Sequence, residues 1–115
     1  MNKLILFMAL LVSTATAYSA SFQATGKVAL IRSFDSSVGL DWDWIGIEGL
    51  TSMGSCSLSD GYVVLMMHSD SQGNRQLSMA MAAKMAGKNI HVAIDDTLKV
   101  HSSYCLIRQL DILAD

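Results

Sequence analysis

The 115-residue chain contains no proline, only two cysteines, and no run of Lys or Arg longer than a single residue. Without proline no position has its φ locked by a ring, so chain reversals fall to Gly, Asp, Asn and Ser. Without a basic cluster the chain lacks the footprint that neutralises phosphates, which excludes nucleic acid as a partner. It also lacks a polybasic membrane patch. No nucleophile elbow, zincin motif, P-loop or dinucleotide fingerprint is present, and His68, His91 and His101 are scattered without ligand spacing. Asp70, Gln72 and Asn74 alternate oxygen-bearing side chains, but the full run of carboxylates and the closing Glu of a calcium loop are missing. Asp95 and Asp96 read as turn-shaping residues. The expectation is a non-enzymatic protein with no metal and no cofactor.

The amino-terminal stretch reads as a secretory signal peptide. Lys3 is a positive n-region, Leu4 to Val12 is an apolar run, and Ala15-Thr16-Ala17 places small residues where a signal peptidase reads. Residues 1–17 are expected to be removed by cleavage after Ala17; Ala20 is the alternative, which would put bulky Tyr18 where a small residue is wanted. The apolar run falls short of the roughly 20 residues of a membrane span, and no later segment qualifies, so no stable membrane anchor is expected. Residues 21–115 then form a single small domain, secreted or periplasmic. In that oxidising setting Cys56 and Cys105 are expected to pair, the alternatives being free thiols or metal ligands.

Arg75 to Ala86 (RQLSMAMAAKMA) is a strong helix, with Asn74 as the expected N-cap and Gly87 as the left-handed stop. Leu77, Ala80, Met81 and Met85 make one apolar face, while Met79, Ala82, Ala83 and Ala86 cover much of the rest. A helix apolar nearly all round wants cover on two sides. Either a single core leaves small Ala residues exposed, or Met79, Ala82, Ala83 and Ala86 meet another subunit.

The rest reads as strands. Ser21 to Thr25 is a polar lead-in, and Gly26 to Ser33 is the first strand, with Val28 and Leu30 on one face. Phe34 to Gly39 is a hairpin connection. Asp41 to Ile47 (DWDWIGI) alternates so that Trp42 and Trp44 share one face and Ile45 and Ile47 the other. With the isoleucines inward, the two tryptophans stand outside beside Asp41 and Asp43, a surface suited to stacking on a sugar or burying a partner. A bulge would instead take one Trp into the core. Leu50 to Asp60 is a Ser/Gly-rich loop, Gly61 to Met67 a strand apolar on both faces, and His68 to Gly73 a polar loop. Lys88 to Asp95 alternates with Ile90, Val92 and Ile94 inward and His91, Ala93 and Asp95 outward. Asp96 to Ser103 connects to Tyr104–Leu113, whose alternation breaks near Arg108 and Gln109. The predicted class is mainly β with one helix, in the order strand, strand, strand, helix, strand, strand, which is that of a five-stranded OB-fold barrel.

Ile47-Glu48-Gly49 leading into a Ser/Gly-rich segment with Cys56, and the helix-Gly87-Lys88 junction running straight into the alternating stretch Ala86 to Asp95, resemble the B subunits of the subtilase-cytotoxin and typhoid-toxin type. The resemblance covers most of the mature chain. It implies an OB-fold protomer, a ring of five with the helices at its centre, an A-type partner subunit and recognition of sialylated or other cell-surface glycans. Thr25 or Ser33 would stand where the family's first-strand serine contacts sugar. Trp42, Asp43, Trp44 and Glu48 are the expected ligand-binding residues. The other expectation is a protein-interaction or oligomer-forming component without sugar binding.

Overall fold

A computed structural model describes residues 21–33, 42–101 and 103–114. The predicted signal peptide, the connection over 34–39 and Asp41 lie outside the described residues. The elements are β1 (Ser21–Arg32), β2 (Trp44–Ile47), β3 (Leu58–Ser59), β4 (Tyr62–Val63), β5 (Leu65–Met66), α1 (Ser71–Ala86), β6 (Asn89–Val100) and β7 (Tyr104–Ile112). The chain is mainly β with one helix. Five strands form a mixed sheet in the order β1-β2-β5-β7-β6, and β6 pairs back onto β1, so the ladder closes. The β5–β7 pairing is parallel and the others are antiparallel.

β1 starts at Ser21, not Gly26. Phe22 and Ala24 pack against the core while Ser21, Gln23 and Thr25 face water, so the polar residues of the expected lead-in are the outward half of an alternating strand. The same strand carries a bulge: Val28 pairs with Ile47, but Leu30 pairs with Gly46, leaving Ala29 extra. One extra residue exchanges the faces downstream. Val28 and Ile31 therefore serve the inner core, and Leu30 joins a separate cluster on the outer side.

That outer cluster corrects the expected face of β2. Ile45 and Ile47 do point into the core, yet Trp44 on the opposite face is only 2% exposed. It is buried with Val64 and Met66 beneath Leu30, Tyr62, Tyr104 and Leu106. Tyr62 reaches it because the Ser/Gly-rich stretch is not wholly loop: β3 and β4 form a small hairpin, turned at Asp60 (φ 53°) and Gly61 (φ 82°). Two successive left-handed residues suit the right-handed twist of a tight hairpin, and Asp-Gly supplies them. The hairpin lies over Gly46, where a Cβ would come within 2.9 Å of Tyr62. The expected strand 61–67 is accordingly split, Tyr62–Val63 pairing with β3 and Leu65–Met66 with β2 and β7.

α1 begins a turn earlier than the spacing of helix formers suggests. Asp70 is the N-cap, its Oδ1 accepting from the N–H groups of Gln72 (3.0 Å) and Gly73 (3.2 Å). Gly87 ends the helix at φ 65°, as expected. The face turned to the core is Gly73, Gln76, Ala80 and Ala83, whereas Met81 and Met85 of the expected core face are exposed. Small residues let the helix lie close to the sheet. Gln76 is buried with them, its Nε2 donating to the Ile107 carbonyl at 3.4 Å while its Oε1 meets no partner among the described residues. β6 runs on through the expected connection to Val100, and in β7 the register skips Arg108 between Ile107 and Gln109, where the alternation breaks. The disulfide joins Cys56 to Cys105 over a separation of 49 residues, which stabilises by about 4 kcal/mol in the chain-entropy account. No helix among the described residues is long and apolar enough to cross a membrane.

Gly73 gives the sharpest test of this packing. A Cβ there would lie 1.5 Å from the His68 carbonyl oxygen, so α1 enters against the backbone that precedes it. Gly to Ala inside a helix ordinarily stabilises by roughly 0.5–1 kcal/mol. Gly73→Ala is expected to reverse that sign and destabilise by about 3 kcal/mol, at the upper end of overpacking costs. Urea midpoints of the two proteins decide it, and an unchanged or raised midpoint would refute the close approach.

Candidate binding site at the Trp42 end of the sheet

The expected ligand-binding residues do not share one surface. Trp42 and Asp43 precede β2 and Glu48 follows it, so they flank opposite ends of the strand, and Trp44 between them is buried. Glu48 is exposed on a turn, where its N–H donates to the Lys27 carbonyl at 2.9 Å. Over Trp44, the Arg32 guanidinium carbon stands 5.1 Å from the ring centroid, and Arg32 also pairs with Asp60 of the β3–β4 turn. This arrangement of cation, indole and carboxylate closes over the outer cluster. Trp44 is a packing residue.

Trp42 is different. Its ring is half-buried, tilted at 46° to His68 with centroids 6.5 Å apart, and edge-on to His101 at 6.1 Å. The two histidines come from distant parts of the chain: His68 from the segment between β5 and α1, His101 from the turn between β6 and β7, where its backbone is left-handed at φ 50°. The approach is fixed by the backbone, since the Asp43 carbonyl accepts from Met67 N–H at 2.9 Å. A half-buried indole that packs on the Trp44 cluster and is bordered by imidazoles offers an apolar plate with polar groups at its rim. That is chemistry for binding a ring-shaped polar molecule. Nothing in the linear spacing of His68 and His101 announces their meeting; only the closure of the sheet produces it.

His68 also lines a neighbouring cavity of about 310 Å³ with Gln72, Leu98, Leu106 and Arg108. Arg108 is the residue skipped by the β6–β7 register, and bulges commonly re-aim a side chain in this way. Its Nη1 lies 3.7 Å from Asp95 Oδ2. Asp95, expected to face outward, is 5% exposed, and its Oδ1 accepts from Thr97 Oγ1 (2.6 Å) and Thr97 N–H (2.9 Å). Asp96 instead ties down the loop that carries Cys56, Oδ2 accepting from Ser55 N–H and Oγ at 3.2 Å each.

The alternative sugar-contacting positions of β1 lie elsewhere. Thr25 is exposed and pairs across the sheet with His91, whose ring bridges Gln23 (3.0 Å) and Asp111 (3.2 Å). Ser33 lies just past the other end of β1. Of the expected oligomer residues, Ala83 lies in the protomer's own core and Met79 packs partly against it, while Ala82 and Ala86 are exposed. The apolar surface that α1 presents to solvent centres on Met81 and Met85, which with Ala29, Leu30, Ile31 and Lys84 line an open groove of about 600 Å³. Among the described residues no three His, Cys, Asp or Glu side chains gather as a metal site. No family model, curated protein or solved structure matches this chain.

Hydrogen bonds from the Thr97 hydroxyl, then from its N–H, hold the Asp95 carboxyl below the usual carboxylate range, assisted by Arg108 and opposed by burial. A depressed folded-state pKa contributes stability that is complete above the unfolded value, about 4, and is lost as pH falls through the folded value. Thr97→Val removes the largest cause. The variant is expected to be less stable than the parent at neutral pH, with the gap narrowing steadily below about pH 4. Denaturation midpoints across that range check it; a gap independent of pH would mean that the hydroxyl does not act through the Asp95 charge.

Proposed function

We propose that this chain is an exported, non-catalytic binding module of OB type that recognises a cell-surface glycan at the Trp42 end of its closed sheet. The observation that carries the reading is the half-buried Trp42 indole, packed on the Trp44 cluster and bordered by the rings of His68 and His101. Sugars present apolar C–H faces ringed by hydroxyls, and an aromatic plate with the His68 imidazole at its border complements both features. Two further features support it. The closed order β1-β2-β5-β7-β6, with the helix entering between β5 and β6, agrees with an OB barrel whose short hairpin β3–β4 is an insertion. The disulfide agrees with an oxidising compartment. The resemblance to toxin B subunits extends the reading to a ring of copies and an A-type partner.

Trp42→Ala is expected to abolish binding on a glycan array while leaving the thermal midpoint within a few degrees of the parent. Trp44→Ala is expected to do something else, lowering stability by about 3–5 kcal/mol as a buried aromatic is removed. An array pattern unchanged in Trp42→Ala would remove this site from the reading.

A second reading is favoured by the Met81/Met85 groove. Met85 is 87% exposed beside the apolar Leu30 and Ile31, and a contiguous apolar patch on a small protein is a candidate for self-association. If a second copy covers it, light scattering on a sizing column gives a multiple of the protomer mass for the parent and a monomer for Met85→Lys. A monomeric parent at high concentration would refute self-association there.

A further inference from the structure

The cavity beside Trp42 holds an unusual set of unspent polar groups. Among the described residues, the His68 ring nitrogens and the Gln72 side-chain amide make no hydrogen bond to protein, and Arg108 has a single partner, Asp95, at 3.7 Å. That distance is an ion pair without a hydrogen bond, so the guanidinium fork keeps its N–H donors. Asp95 is itself occupied by Thr97 through its other oxygen. Leu98 and Leu106 supply an apolar floor. A volume of about 310 Å³ is at the small end of ligand sites.

We infer that the cavity bounded by His68, Gln72, Leu98, Leu106 and Arg108 is a binding site for a small carboxylate-bearing molecule, its carboxylate on the Arg108 fork and its carbon body on the two leucines. A planar guanidinium with free donors matches a carboxylate in two parallel hydrogen bonds, which a neutral hydroxyl cannot reproduce. Gln72 and His68 add N–H donors for the remaining lone pairs. The bulge at Arg108 explains the arrangement. A regular β7 would alternate Ile107, Arg108 and Gln109 across the two faces, whereas the skipped register leaves Arg108 and Gln109 both exposed. The carboxylate could be carried by a free organic acid or by an acidic sugar, and the test separates the two.

The site does not depend on the glycan reading. The oxidised protein is titrated with glucuronate, glucose and propionate, following amide shifts by NMR. Saturable shifts at the cavity with glucuronate or propionate, and not with glucose, are expected. Binding of propionate as tight as that of glucuronate assigns the site to simple acids, and glucuronate alone assigns it to acidic sugars. Arg108→Gln should weaken the bound acid at least about tenfold. Gln72→Asp provides a second variant that retains the fold, because an acidic residue is favourable in the first helical turn; its charge should likewise repel the acid. No acid binding in the parent, equal binding of glucose and glucuronate, or affinity unaltered in both variants would overturn the assignment. Trp42→Ala keeps the two proposals apart: array binding lost with glucuronate still bound shows this site to be separate from the glycan surface, and an unchanged array pattern removes the Trp42 site from the glycan reading without touching this one.

Discussion

The sheet closes along a seam of two residue pairs, Leu65↔Cys105 and Met66↔Leu106, where β5 runs parallel to β7. A parallel pairing of that length contributes little by itself, and its strands are far apart in sequence, so loop-closure entropy opposes it. The Cys56–Cys105 disulfide acts at this seam. Cys105 is both a member of the pairing and the bridge to the loop preceding β3, and it is fully buried among the inner core residues. A domain this small, with a modest core, gains from a crosslink that closes a loop of this length. Ser55, beside the bridge, is fastened to β6 by Asp96 and by Lys99, whose Nζ donates to Ser55 Oγ at 2.7 Å.

Closure also gives the sheet two kinds of apolar surface. The inner face and α1 enclose one cluster, while Trp44, Val64 and Met66 form another on the outside, roofed by the β3–β4 hairpin and Arg32. Two bulges sort residues between these surfaces. The one at Ala29 sends Leu30 outward, and Lys84 of α1 donates to the carbonyls of Val28 (3.4 Å) and Ala29 (3.3 Å) that the irregular strand leaves available. The other places Arg108 at the rim of the small cavity. Irregularity in the ladder therefore lies behind the groove beside Met85 and the cavity beside Arg108.

Much of the class was legible in the sequence, and what was not has physical causes. Ile90, Val92 and Ile94 alternate without interruption and are all buried as expected; Gly87 could be read as a stop because few other residues tolerate a left-handed helix end. The broken alternation at Arg108 was a true sign of a bulge. The bulge at Ala29 left no such sign, since Val28, Ala29, Leu30 and Ile31 are apolar on either face, and the paired faces of β1 were misread in consequence. The Asp60-Gly61 signal for a tight hairpin was present but lay inside a Ser/Gly-rich stretch that read as loop. Trp44 was misplaced because strand alternation distinguishes two faces without saying whether the outer one is covered. The His68 and His101 neighbours of Trp42 depend on closure of the whole sheet, which no local pattern encodes.

The same closure fixes the geometry of the Trp42 end of the sheet. Trp42 and His68 both lie outside regular strands, where side chains are usually the most free. Here each is held by its neighbour's backbone: Asp43 accepts from Met67 one residue before His68, and the His68 carbonyl is packed against Gly73 in the first turn of α1. Gly73 N–H is in turn engaged by the Asp70 cap. The position of Trp42 relative to His68 is thus set by the start of the helix and the end of β5 together. Under the proposed function, a surface preorganised in this way would lose less conformational entropy on binding. Substitutions at Gly73 or Asp70 would therefore reach Trp42 only through the geometry of His68.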